Sequence, residues 1–271
     1  MIAVELRKML RRPRTWVTIL LLNALPTLVA VLLAVTDLGP RPGSGPAFLS
    51  AVLASGTLFP LAALAIILPL FLPIAVAVIA GDAVAGEAQT GTLRYLLVRP
   101  VGRTRLLVAK LISVVAFVLL AVVIVATTAY VVGSLLLGDQ PLAAATTSVS
   151  GTTLTPAQVA VRTLLAIGYI TLSMLGVAAI ALLLSTITDS PLAAALGALA
   201  FLIASSLLLT LDAAEVLQPY LPTRYWLSFV DLFRDPIFWR DILRGVGLQA
   251  VYVVVLLGAG WANFTTKDIT S

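Results

Sequence analysis

The stretch Gly81–Lys110, GDAVAGEAQTGTLRYLLVRPVGRTRLLVAK, decides the fold. It carries Asp82, Glu87, Arg94, Arg99, Arg103, Arg105 and Lys110 between two long uncharged runs. The flanks are apolar enough to sit in lipid, and this stretch is not. It reads as a cytoplasmic loop joining two membrane-spanning helices, placed where a soluble partner can grip it. The whole chain agrees with that setting. Of 271 residues, 61% are hydrophobic and 11% charged, whereas a soluble domain is about half apolar and a quarter charged. A globular enzyme is excluded on that ground, and a polytopic helical membrane protein is expected.

Working outward toward the N-terminus, 60–80 forms the second span, bent by Pro60, Pro69 and Pro73. The DLGPRPGSGP turn region precedes it in an external loop. The first span covers 15–36, with Trp16 at its cytoplasmic edge and Asn23 and Pro26 inside. Asn23 suits an interhelical hydrogen bond or a substrate path. Over 1–14, Ile2, Leu6, Met9 and Leu10 recur at helical spacing, while Glu5, Lys8, Arg11 and Arg12 fall elsewhere on the wheel. This is either a basic helix lying in the membrane interface or a simple orienting flank. No small-residue cleavage site stands out behind it, so the first span is read as retained.

Toward the C-terminus, the third span covers 107–137 and is long enough to require tilt or protrusion. Lys110 stands at its start, where it can snorkel. An external loop, Asp139–Gln158, leads to a fourth span at 163–187. The short Asp189–Ser190–Pro191 turn makes the fifth span, 191–211, its antiparallel neighbour. Small residues in the fifth span allow close packing. The segment 212–244 is amphipathic and rich in aromatics. Tyr225, Trp226, Phe229 and Phe233 share one helical face, as expected of short helices dipping into the outer leaflet. The sixth span covers 245–265. The fold expected is all-α: one transmembrane domain over 1–271, with six spans, an interfacial helix and short external amphipathic helices.

Charge sets orientation and narrows function. Five basic residues in the N-terminal stretch, five in Gly81–Lys110 and Lys267 lie on one side, against six arginines on the other. Both termini and the 81–106 loop are therefore cytoplasmic. The apolar runs of the spans hold no Asp, Glu, Lys or Arg, which argues against ion-coupled carriers and intramembrane hydrolases. His and Cys are absent. That removes imidazole and thiolate metal sites, Cys nucleophiles and His-based triads. A net charge of +5 in such a chain points to anionic lipid rather than nucleic acid. No Gly-rich phosphate loop is present, so energy for any transport must come from elsewhere.

Within the loop, Gly91 breaks one helix and Thr92 can cap another over Thr92–Val98. Pro100 ends it. Leu93, Leu96 and Leu97 form its apolar face. That face must be buried against the chain's own helix ends or against a partner.

The pattern Glu87-x3-Gly91-Thr92-Leu93-Arg94-x2-Leu97-x2-Pro100-x2-Arg103-x6-Lys110 resembles the loop between the second and third spans of ABC-type-2 transporter permeases. The likeness extends to the basic start, the six spans and Leu221-Pro222 ahead of an aromatic segment. Gly102 stands where the family often has Ser. The resemblance implies a non-catalytic membrane subunit of an ABC exporter in a prokaryotic inner (cytoplasmic) membrane. This chain would pair with a second permease subunit, homo- or heterodimeric, and with ABC ATPase subunits. It would bind no cofactor itself, ATP and Mg being held by the ATPase. Thr92–Val98 would be the coupling helix. Glu87 and Arg94 would be its polar contacts and Leu93, Leu96 and Leu97 its packing contacts, framed by Gly91, Pro100 and Arg103. Tyr225, Trp226, Phe229 and Phe233 would form an external gate, suited to a hydrophobic or amphipathic cargo. The readings set against it are a stand-alone channel or carrier and a non-transporting membrane anchor.

Overall fold

A computed structural model describes residues 1–36, 58–91, 102–137, 146–148, 150 and 152–266. The Gly/Pro-rich loop at 37–57, the Thr92–Pro100 segment and the tail at 267–271 lie outside the described residues. The architecture is an all-α membrane bundle. Among the described residues, six helices are long and apolar enough to cross a membrane.

Helix α1 (Ile2–Arg11) is followed at once by α2 (Pro13–Thr36). Pro13 forces the turn between them. Arg12, the residue before it, is extended at φ −77, ψ 122, as a residue preceding proline prefers. Side chains of α2 then fasten the elbow. Thr15 Oγ1 donates to Met9 O at 2.8 Å and Trp16 Nε1 to Leu10 O at 2.8 Å. Asn23 departs from expectation: its Nδ2 donates to Ile19 O of its own helix at 2.7 Å. A carbonyl one turn back is always within reach of such a side chain.

The second span is not one bent helix. It is α3 (Phe59–Ile67) and α4 (Phe71–Gln89), separated at Leu68–Leu70. Pro69 sits in the break, where it removes a ladder donor and clashes with the preceding turn. Pro73 falls in the first turn of α4, where no intrahelical donor is lost. Helix α4 then runs well past the expected boundary at residue 80, through Asp82 and Glu87. It ends where Thr90 gives way to Gly91 at φ +69, the left-handed conformation that glycine adopts without penalty.

Helix α5 (Arg103–Leu136) has 34 residues, about 50 Å at 1.5 Å per residue, so it overshoots the hydrocarbon core. A two-residue ladder, β1 (Thr146–Thr147) with β2 (Thr153–Leu154), precedes α6 (Pro156–Ile187). A reciprocal capping box between Thr155 and Gln158 starts α6 earlier than the apolar run alone suggests. Ser190 caps α7 (Pro191–Leu208), accepting from Ala193 N. The external segment forms 3₁₀ turns at Asp212–Ala214, Gln218–Tyr220 and Trp226–Phe233. Helix α8 (Trp239–Thr266) follows and takes in residues 239–244, which the sequence reading leaves in the loop.

Helix α6 is the hub. It packs on α4, α5, α7, α8 and the Trp226–Phe233 turn. Lipid tails are as apolar as the helices, so close backbone approach and interhelical hydrogen bonds hold such a bundle together. Gly245 of α8 shows the tolerance. A Cβ there would overlap the Tyr169 hydroxyl of α6 and lie 2.9 Å from Tyr225 Cβ. The same hydroxyl donates to Tyr225 O at 2.6 Å, so it cannot simply move aside. Gly245→Ala is expected to destabilise the chain by about 1–3 kcal/mol. Combined with Tyr169→Phe, which removes the overlapping atom, its further cost should shrink. Thermal unfolding of the detergent-solubilised chain reads both, and strictly additive losses would contradict the packing described.

Candidate functional site

Both charged residues of α4 face other helices. Glu87 is 4% exposed. Its Oε1 lies 2.6 Å from Lys8 Nζ of α1, and its Oε2 lies 2.7 Å from Lys110 Nζ of α5. Asp82 Oδ2 accepts from Arg12 Nη1 at 2.9 Å and also pairs with Arg14. These groups surround a cavity of about 50 Å³ between α1, α4 and α5. One carboxylate thus ties three helices, and a second ties the α1–α2 elbow to α4.

This arrangement corrects one expectation and gives a second residue a role inside the chain. Lys110 does not snorkel: it is 2% exposed and aimed inward at Glu87. Glu87, expected as a polar contact for a partner, has both carboxylate oxygens engaged by lysines of its own chain. The physical reason is shared. A buried cation and a buried carboxylate each carry a desolvation penalty that only a close, well-aligned opposite charge offsets. Arg103 is likewise used internally. Its Nη1 donates to Phe264 O at 3.3 Å and Thr265 O at 2.8 Å, satisfying the last carbonyls of α8. Trp261 Nε1 of α8 reaches Thr104 Oγ1 at 2.9 Å, and Asn263 Nδ2 reaches Thr186 O at 3.0 Å. Gly91 is exposed at the tip of α4. Thr92, Leu93, Arg94, Leu96, Leu97 and Pro100 lie outside the described residues.

The opposite end is organised by polar side chains gripping backbone carbonyls. Tyr169 holds Tyr225 O, Gln249 Nε2 donates to Pro222 O at 2.7 Å, and Tyr252 Oη donates to Tyr220 O at 3.0 Å. Arg162 is buried, donating to Arg234 O at 2.9 Å and facing Asp235 at 3.6 Å. Burial pushes the Asp231 carboxyl above the usual carboxylate range, and Arg234 at 2.7 Å pulls it back. Trp226, Phe229 and Phe233 are buried against the bundle, and Tyr225 is half-buried. They pack inward rather than dip into lipid. Trp226, Phe229 and Leu232 recur every three residues, matching the 3₁₀ turn they form. The 3.6-residue wheel groups the same residues by a different period.

Trp226 also lines a cavity of about 230 Å³, together with Pro69, Pro73, Leu202, Ile203 and Ser206. The cavity opens beside the α3–α4 break. Its walls are apolar, and the buried Trp226 Nε1 has no hydrogen-bond acceptor among the described residues.

The sequence reading identified neither the Glu87–Lys110 pair nor the roles of Arg162 and Gln249. The one available signal was a rule of the medium. An ionisable group near membrane depth needs a named partner, and Glu87 and Lys110 both adjoin long apolar runs. Glu87→Gln, which strands Lys110, is expected to cost about 3–5 kcal/mol. Glu87→Gln with Lys110→Met should recover most of that loss. Lys8→Gln, at the half-exposed edge, should cost no more than about 1 kcal/mol. Thermal unfolding of the three variants checks the ranking; equal losses for Lys8→Gln and Glu87→Gln would refute it.

A family model described as ABC-2 family transporter protein matches residues 1–234. No curated protein matches the chain. The match takes in α1 through α7, the charged cluster and the aromatic turn. Together with six membrane-length helices, it shows that the chain belongs to the ABC-2 transporter family and is a membrane permease of an ABC transporter.

Proposed function

We propose that this chain is the transmembrane subunit of an ATP-driven exporter that moves a hydrophobic or amphipathic cargo out of the cytoplasm. ATP and Mg are bound and used by a separate ABC ATPase subunit, and this chain is not catalytic. It pairs with a second permease subunit, identical or related, in the inner membrane of a prokaryote. Both termini are cytoplasmic. The basic residues concentrated in the N-terminal stretch and from Arg94 to Lys110 support that orientation.

The observation that carries the reading is the ionic strut at Glu87. The segment from Thr92 to Val98 follows directly on α4. Any push on it from an ATPase is delivered to Glu87 and, through Lys8 and Lys110, to α1 and α5. In this scheme Leu93, Leu96 and Leu97 pack on the ATPase and Arg94 is the polar contact. Glu87 is no longer a contact but the point where the push enters the bundle. Arg103 carries it to the end of α8.

The cavity beside Trp226 supports the cargo class. Its walls offer mainly apolar burial with two polar side chains, Trp226 and Ser206, which fits an apolar body bearing an acceptor such as an ester or amide carbonyl. Trp226 of the aromatic turn lines this cavity, which supports reading that turn as the external gate.

Two experiments test this. The chain co-expressed with its ATPase should purify as a complex whose ATP hydrolysis in proteoliposomes rises with a lipophilic cargo. Leu93→Asp with Leu97→Asp should abolish co-purification or stimulation. Transport by the purified chain with no nucleotide would overturn the reading. Trp226→Phe should weaken apparent affinity for acceptor-bearing cargo about 3–10-fold, the worth of one hydrogen bond, while leaving a cargo without an acceptor unchanged.

A further inference from the structure

Ser185 of α6 is 1% exposed, and its hydroxyl sits on the backbone ladder of α4. Its Oγ accepts from Val84 N at 3.1 Å and Ala85 N at 2.9 Å, and it donates to Gly81 O at 2.6 Å. In a regular α-helix the Ala85 N–H is the partner of the Gly81 carbonyl. A side chain from another helix therefore stands at that rung and serves both groups. Inserted side chains are among the few identified causes of helix bending. In a membrane, Ser and Thr hydroxyls are also what satisfies backbone groups that a bend releases.

The surroundings divide at the same point. On one side of Gly81, Leu72, Val76, Ala77 and Ala80 belong to the main apolar core. On the other, Val84 joins a small separate cluster with Leu106, Leu107, Leu182 and Phe264. The turn itself is pinned: a Cβ on Gly81 would lie 3.0 Å from Ala195 N and 3.2 Å from Pro191 O of α7. Beyond it, the charged part of α4 is held by ion pairs whose cationic partners Lys8, Arg12 and Arg14 are half-exposed.

We propose that α4 is jointed at Gly81–Ala85, with the Ser185 hydroxyl as the pivot. The arm Asp82–Gly91 turns against the membrane half of the helix without leaving backbone groups unpaired in lipid. The ion pairs to Lys8, Arg12 and Arg14 hold it in the setting seen. A continuous rigid helix would transmit a push as translation of the whole span. A joint converts it into rotation of the arm about a fixed turn.

The chain has no cysteine, so spin labels at Cys introduced for Gln89 and Val254 report the arm against α8 in the full-length chain in nanodiscs. Wild type should give one narrow distance. Asp82→Asn with Lys8→Gln, which frees the arm while leaving the Lys110 pair, should broaden it or add a second distance. Adding Ser185→Ala should restore a single narrow distance, because the closed ladder has nothing to pivot on. Ser185→Thr in the same background should stay broad. A freed arm that keeps the wild-type distance overturns the proposal. So does a Ser185→Ala variant as broad as its parent, which would make Ser185 a mere fastening. Hydrogen exchange gives a second reading that does not depend on folding of the Ser185→Ala variant. In the Asp82→Asn, Lys8→Gln chain, amides over 86–90 should exchange at least about tenfold faster, with 74–80 unchanged; a uniform rise across both overturns the joint. Neither measurement involves nucleotide or cargo, so failure of the exporter reading would leave its result intact.

Discussion

Glu87 meets the constraint on which the rest of the bundle depends: no charge or backbone polar group can be left unpaired where water does not reach. Its two oxygens take two lysines from two different helices, and that fixes the relative placement of α1, α4 and α5. Dispersion and apolar burial cannot do this. In lipid the apolar faces of α2, α7 and α8 are as well solvated apart as together. Directional polar contacts, few in number, must set the register. The same holds at α8, whose final carbonyls take Arg103, and at the α1–α2 elbow, whose carbonyls take Thr15 and Trp16.

The opposite end solves the problem without clustered ion pairs. There the chain is irregular, and irregular backbone at membrane depth persists only where protein covers it. Tyr169, Gln249, Tyr252 and Arg162 each supply a donor to a carbonyl of residues 220–234. The aromatic side chains then fill the space beneath. One end is therefore held mainly by clustered ion pairs, and the other mainly by side-chain donors on backbone carbonyls and by packing, with Arg162 as its buried charge. Ionic strength reaches the first through its half-exposed edge and hardly touches the second.

The sequence made the number of spans and the amphipathic start legible because hydropathy and charge act over whole segments. Gly91 was legible as a break because few residues accept a positive φ. Element ends were less so. Helix α4 overran its expected end because Asp82 and Glu87 find cations in α1, α2 and α5, and no local rule contains a partner some seventy residues away. The split at Pro69 was half legible: three prolines announced distortion but not which would break the helix. The aromatic face was legible, since Trp226, Phe229 and Phe233 fall together by either period; that it packs inward as a 3₁₀ turn was not, because aromatics with mixed charge suit the membrane interface equally well. Ser185 was invisible, since nothing local separates a splicing serine from any other small polar residue in an apolar run.

Why the chain keeps a buried Glu–Lys pair follows from its asymmetry. A buried ion pair is poor evidence for stability, because an apolar pair of similar volume is often as good or better. Its distinctive property is that it has a register and can be exchanged. Lys110 is wholly enclosed and Lys8 is half-exposed, yet both address the same carboxylate. Losing Lys8 leaves Glu87 still neutralised by Lys110, so α1 can part from α4 without stranding a charge. Losing Lys110 instead would leave a buried carboxylate with only a partly solvated partner. The strut therefore has a permanent half between α4 and α5 and a releasable half between α4 and α1. If the arm of α4 moves, its cheapest path breaks the contacts to α1 first and carries the Lys110 contact with it.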